Sequence, residues 1–287
     1  TPGDIFVAND PYVAGGTHLP DVNLAMPVFI DGELLGFVCN IAHHADIGGM
    51  TPGSMAGGMS EIYQEGLRIP LVRLFAGGEL VQDIFDLLLL NVRVPHERRG
   101  DYFAQVAACR LGSRRMAELA QRYAPEMLVR SFDAIMDRTE GRLRDGIRTI
   151  PDGVYEFADL LDNDGMGTVD IPIAVRIEVK GADIAFDFAG TGDQMKGNFN
   201  MTFNAAQSAV YYVLKAMLDP DLPNNYGLIR AVEISAPLGC LVNAVHPGAV
   251  AGRANTSQRV VDVLIGAMAQ ALPEQAVGAA NGANVTA

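Results

Sequence analysis

Residues 22–30 (VNLAMPVFI) and 33–42 (ELLGFVCNIA) are two mostly apolar runs joined by Asp31-Gly32. An Asp-Gly pair between such runs marks a β-hairpin, because a type I′ turn needs positive φ at both central positions. A turn at 31–32 sets Asp21 opposite Ala42 if the pairing is regular. His18 and Asp21 then arrive just before the outgoing strand, and His43 and His44 just after the returning one. Both groups meet at the open end of one hairpin.

These are three of the chain's five histidines. Two imidazoles and a carboxylate, supplied by a His-x-x-Asp pair and a His across the hairpin, suit Zn²⁺, Mn²⁺ or Fe²⁺ with positions left open for water or substrate. Asp46, three residues beyond His43, is then a fourth ligand or an acceptor that orients an imidazole. Gly15-Gly16 and Gly48-Gly49 flank the two halves and permit close backbone approach. The plainer alternative is a set of polar loop residues, each packed or solvated on its own account, and spacing alone leaves both open.

Outward from the hairpin, residues 5–8 read as a strand, and Asn9-Asp10-Pro11-Tyr12 as the turn that follows it. Residues 51–66 (TPGSMAGGMSEIYQEG) lack any period and read as a long ordered loop. From Arg99 to about Arg148 apolar residues recur at helical spacing, with Pro125 between two stretches; two antiparallel helices covering a sheet are the simplest arrangement. Residues 154–161, 169–179 and 184–188 alternate apolar with polar and predict an antiparallel meander with one solvated face. Helices are predicted over residues 204–218 and about 256–272. Strands and helices are grouped rather than alternating, so the expected class is α+β, in one domain over residues 1–287.

The chain has 287 residues, 49% hydrophobic and 19% charged, with a net charge of −13. That length supports a sizeable core. So acidic a chain, with only Lys180, Lys196 and Lys215 as lysines, is not expected to bind nucleic acid or a polybasic-seeking membrane surface. No apolar run reaches a membrane span and no signal peptide is visible. Cys39, Cys109 and Cys240 are far apart and odd in number, so reduced, buried thiols in a cytoplasmic protein are expected. No phosphate loop, dinucleotide fingerprint or GxSxG elbow occurs, which disfavours nucleotide binding by this chain alone. His96-Glu97-Arg98-Arg99 lacks the second His of a zincin helix. Asn198, Asn200 and Asn204 precede a helix as pocket or capping residues, and Arg253 stands at another helix start as a candidate for a substrate carboxylate.

Gly3-Asp4-Ile5-Phe6, Asn9-Asp10-Pro11-Tyr12, Gly15-Gly16-Thr17-His18-Leu19-Pro20-Asp21 and His43-His44-Ala45-Asp46-Ile47-Gly48-Gly49 together resemble the hydantoinase B/oxoprolinase family. Residues 198–204, Pro223-Asn224-Asn225-Tyr226-Gly227 and residues 251–259 extend the likeness along the chain. Family members are much longer and this chain does not begin with Met, so it is expected to be the middle of a longer subunit. The resemblance implies a divalent metal held by His18, Asp21 and His43, with His44 and Asp46 as neighbours and candidates for the general base. It also implies a hydantoinase A-type, ATP-binding partner subunit that activates the substrate by phosphorylation. The implied activity is ATP-dependent hydrolysis of a cyclic amide such as a hydantoin or 5-oxoproline. An acetone- or acetophenone-type carboxylase subunit is the alternative, and a non-catalytic assembly subunit the third.

Overall fold

The Asp31-Gly32 turn forms as its residues dictate, with φ of 51° at Asp31 and 87° at Gly32. A computed structural model describes residues 1–280 of the chain. They divide into two compact units, one of Thr1–Ala56 with Ile62–Phe132, the other of Gly57–Glu61 with the residues from Asp133 onward. The α+β class expected from the grouped elements is the class observed, with a separate sheet in each unit.

The first unit holds strands β1 (Ile5–Ala8), β2 (Asp21–Ile30), β3 (Glu33–His43), β4 (Val72–Ala76) and β5 (Glu79–Leu80). They pair antiparallel in the order β3-β2-β1-β4-β5. Two helices follow, α1 (Gln82–Leu90) and α2 (Pro95–Tyr123), and α2 packs against β2 and β3. Ile5, Val7, Val22, Leu24, Phe85, Tyr102, Val106 and Cys109 are buried, whereas Cys39, expected to be buried, is exposed on β3. Pro95 opens α2 where a missing N–H costs nothing. Its far end is set by Ala124, at φ 63°, just before Pro125.

The hairpin register departs from the regular pairing. Ile30 pairs with Glu33 and Phe29 with Leu34, but Val28 pairs with Gly36, so Leu35 is the extra residue of a β-bulge. Every pair beyond it is displaced by one. Asp21 therefore stands opposite His43, not Ala42. Side chains alternate along a strand, so this one-residue displacement decides which partner shares Asp21's face.

In the second unit β6 (Gly153–Asn163), β7 (Val169–Lys180) and β8 (Asp183–Asp187) form the expected antiparallel meander. Ile171, Ile173, Val175, Ile177 and Val179 of β7 are buried while the residues between them face outward. A fourth strand, β9 (Val232–Ser235), adds in parallel to β8, so the sheet is mixed. Helix α3 (Pro125–Ile147) supplies Leu143 and Ile147 to this core, and α4 (Phe203–Leu218), the short α5 (Gly227–Arg230) and α6 (Arg253–Met268) complete it. The expected pair of helices over a single sheet is thus corrected: α2 covers β2 and β3, whereas the later turns of α3 belong to the second core. Residues 51–66 are irregular apart from two short 3₁₀ turns, Pro52–Ser54 and Ile62–Gln64. Among the described residues no helix is long and apolar enough to cross a membrane.

Candidate metal centre

Where β2 begins and β3 ends, three donor atoms converge. His18 Nε2 lies 3.0 Å from Asp21 Oδ1 and 3.2 Å from His43 Nδ1, and His43 Nδ1 lies 3.2 Å from Asp21 Oδ1. The triangle is nearly equilateral. Ligand atoms about 2.1 Å from a common ion and about 90° apart stand roughly 3 Å from one another, so its edges match three adjacent positions of a coordination shell. Three lone-pair-bearing atoms at this spacing call for a proton or a cation among them. His18, Asp21 and His43 form the one cluster of metal-capable side chains found among the described residues. The imidazole-imidazole-carboxylate set suits a divalent transition metal.

Local structure holds the triangle from several sides. The two imidazoles stack with centroids 5.0 Å apart and planes 28° from parallel. Thr17 Oγ1 donates to Asp21 Oδ2 at 2.9 Å, which fixes the carboxylate and leaves Oδ1 to the imidazoles. The His44 amide donates to Pro20 O at 2.7 Å and closes the hairpin mouth. Asn9 is buried and does more than turn the chain: its Nδ2 donates to Leu19 O at 2.8 Å and to Leu67 O at 2.9 Å, while its Oδ1 accepts from the Ile69 amide at 2.7 Å. His18 is buried, Asp21 half-buried and His43 about half exposed, so the site is open on the His43 side.

His44 and Asp46 are placed elsewhere. His44 is buried, with Nε2 3.0 Å from Gln105 Oε1 and its ring 4.7 Å from that of Tyr102, both on α2. Burial holds its imidazole below the ordinary histidine pKa, against the opposing hydrogen bond to Gln105. Asp46 Oδ1 accepts from the amides of Gly48 and Arg93, and Oδ2 from Arg93 Nη1 at 2.9 Å. Burial works to raise the Asp46 pKa, but the Arg93 and glycine hydrogen bonds outweigh it and hold the carboxyl below its usual range. Arg93 also donates to the carbonyls of Gly48, Gly49 and Thr51. The sequence does not single it out: no motif marks it, because its partners lie more than forty residues away.

Of the other candidate residues, Asn200 is buried and ties Met195, Gly197 and Ala249 together through its side chain, which is a structural task. His96 lies in the first turn of α2. A cavity of about 640 Å³ in the second unit, walled by Tyr211, Tyr212, Lys215 and Asn224, includes none of the triad.

A family model described as hydantoinase B/oxoprolinase matches residues 1–287. The chain is 36% identical over 285 residues to a putative D-/L-hydantoinase B subunit of Pseudomonas sp. (strain NS671), covering 95% of this chain and 48% of that protein. To the caprolactamase beta subunit of Pseudomonas jessenii it is 33% identical, covering 99% of this chain and 49% of the other. The crystal structure of the ATP-dependent caprolactamase from Pseudomonas jessenii superposes with a TM-score of 0.89 at 32% identity, over 96% of this chain and 48% of that one. A nucleotide-free acetone carboxylase structure shares the fold, with a TM-score of 0.85 at 20% identity over 96% of this chain and 38% of its own. The chain spans about half the length of the two bacterial relatives it matches.

Proposed function

The chain belongs to the hydantoinase B/oxoprolinase family, and on that premise we propose that it completes ring opening in an ATP-dependent cyclic-amide hydrolase. In this reading ATP is bound by a hydantoinase A-type partner, which activates the substrate by phosphorylation, and this chain's site delivers water to the activated carbon. Relatives named as the B component of a hydantoinase and the beta component of a caprolactamase support both the reaction class and the existence of a partner.

The convergence of His18, Asp21 and His43 carries the proposal. These three side chains would hold a divalent ion, which supplies Lewis-acid polarisation of a water or a carbonyl oxygen. The chain's own residues perform the rest. Thr17 keeps one Asp21 oxygen occupied so that the other is presented to the imidazoles. Burial keeps His18 dry on one side, while the exposed edge of His43 leaves room for substrate. His44 and Asp46, the two candidates for the general base, are already engaged with Gln105 and Arg93, and we assign them to supporting the ligand loop.

The test is an assay of the full-length subunit in its complex, with ATP and either a hydantoin, 5-oxoproline or a lactam, set beside ATP with a ketone and bicarbonate. ATP-dependent ring opening that is lost in His18→Ala supports the proposal. Consumption of the ketone alone overturns it in favour of a carboxylase.

A further inference from the structure

We propose that Gln105 is a positioning residue for the triad, fixing Asp21 and His43 by gripping the residue next to each of them. The proposal rests on the triad serving as metal ligands. Gln105 sits within α2 and is buried. Its Nε2 donates to Val22 O at 2.9 Å and to Asn40 Oδ1 at 2.9 Å. Its Oε1 accepts from His44 Nε2 at 3.0 Å, and its backbone carbonyl accepts from Asn40 Nδ2 at 2.9 Å.

One helix residue thus holds both strands of the hairpin at its open end. Val22 directly follows Asp21, and His44 directly follows His43. Side chains alternate across a strand, so a clamp on Val22 and His44 from the α2 side sets where Asp21 and His43 project on the other. Both amide protons and the carbonyl oxygen of Gln105 are used, which fixes the orientation of the amide and makes Nε2 the protonated nitrogen of His44. Ligand sets tolerate displacements of only about 0.5 Å, so this clamp acts at the scale that matters for metal binding.

Gln105→Leu keeps the volume and leaves Val22 O, Asn40 Oδ1 and His44 Nε2 without their partner in the interior, while Asn40 Nδ2 keeps the backbone carbonyl of residue 105. The experiment compares the full-length subunit, in its complex, as parent, Gln105→Leu and Val106→Ala, the last being a buried neighbour on the same helix with no part in the network. Two readouts are taken: the Asp21 Oδ1 to His43 Nδ1 distance in metal-free crystals, and Mn²⁺ affinity by titration. Gln105→Leu is expected to open the 3.2 Å contact beyond hydrogen-bonding range and to weaken Mn²⁺ binding by about tenfold or more. Val106→Ala is expected to lower thermal stability and to leave both readouts as in the parent.

An unchanged Asp21–His43 contact in Gln105→Leu, or an equal loss of affinity in Val106→Ala, overturns the inference. A parent that binds no Mn²⁺, while Gln105→Leu still opens the contact, removes the metal reading and keeps the positioning role. Should Gln105→Leu fail to fold, Asn40→Ala cuts one arm of the same network; a smaller loss of the same kind supports the inference and no loss overturns it.

Discussion

Asp21 divides its labour between two oxygens, one held by Thr17 and the other facing both imidazoles. Thr17→Val removes the hydroxyl and keeps the shape, so divalent-ion affinity should fall about tenfold while the fold persists, as titration with Mn²⁺ and circular dichroism would show. Asp46 gives a prediction of the opposite kind, on stability. Its native pKa is depressed, so the native state keeps it ionised where the unfolded chain begins to take up a proton. Its contribution is complete above the ordinary carboxylate range and is lost as pH falls below about 4 through the native value. Asp46→Asn should lower stability by about 1–3 kcal/mol at neutral pH and flatten the acid limb of a urea-midpoint profile. The convergence of His18, Asp21 and His43 could be read from the sequence because they lie close along one hairpin. Arg93 and Gln105 could not, since their partners come from remote segments, and an isolated Arg between two helices or a Gln within one looks like any solvated residue.

The hairpin is the element that makes the site, and its bulge is what the regular pairing missed. Nothing about Leu34-Leu35-Gly36 announces an extra residue, because either register leaves an apolar run on the strand. Deleting Leu35 would turn the hairpin into a regular one and still leave Asp21 opposite His43, since Gly36 would simply continue the ladder beyond Leu34. Mn²⁺ affinity of that deletion should match the parent; a lost site would show that the bulge itself shapes the ligands. The loop after β3 is more demanding. Gly49 has φ of 84°, and a Cβ there would stand 2.6 Å from the carbonyl oxygens of Gln64 and Glu65. Gly49→Ala should cost at least ~2 kcal/mol in a denaturant titration. The meander, α2 and α4 were legible because period and breakers agree along each. Strands β4, β5 and β9 were not, being two to five residues long and defined by their neighbours rather than by any pattern of their own.

At the scale of the molecule, the chain carries a net charge of −13 and spans about half the length of the relatives it matches. The acidic balance disfavours binding to a nucleic-acid backbone. Under the proposed function, this chain contributes to the complex's turnover the site built on one hairpin. The measurement that tests this most directly is divalent-metal content by elemental analysis of the full-length complex, parent against His18→Ala, alongside ATP-dependent ring opening. The account predicts a tightly bound divalent ion in the parent, with ion and turnover both lost in His18→Ala. A parent complex that turns over with no divalent metal, or undiminished turnover in His18→Ala, would contradict it.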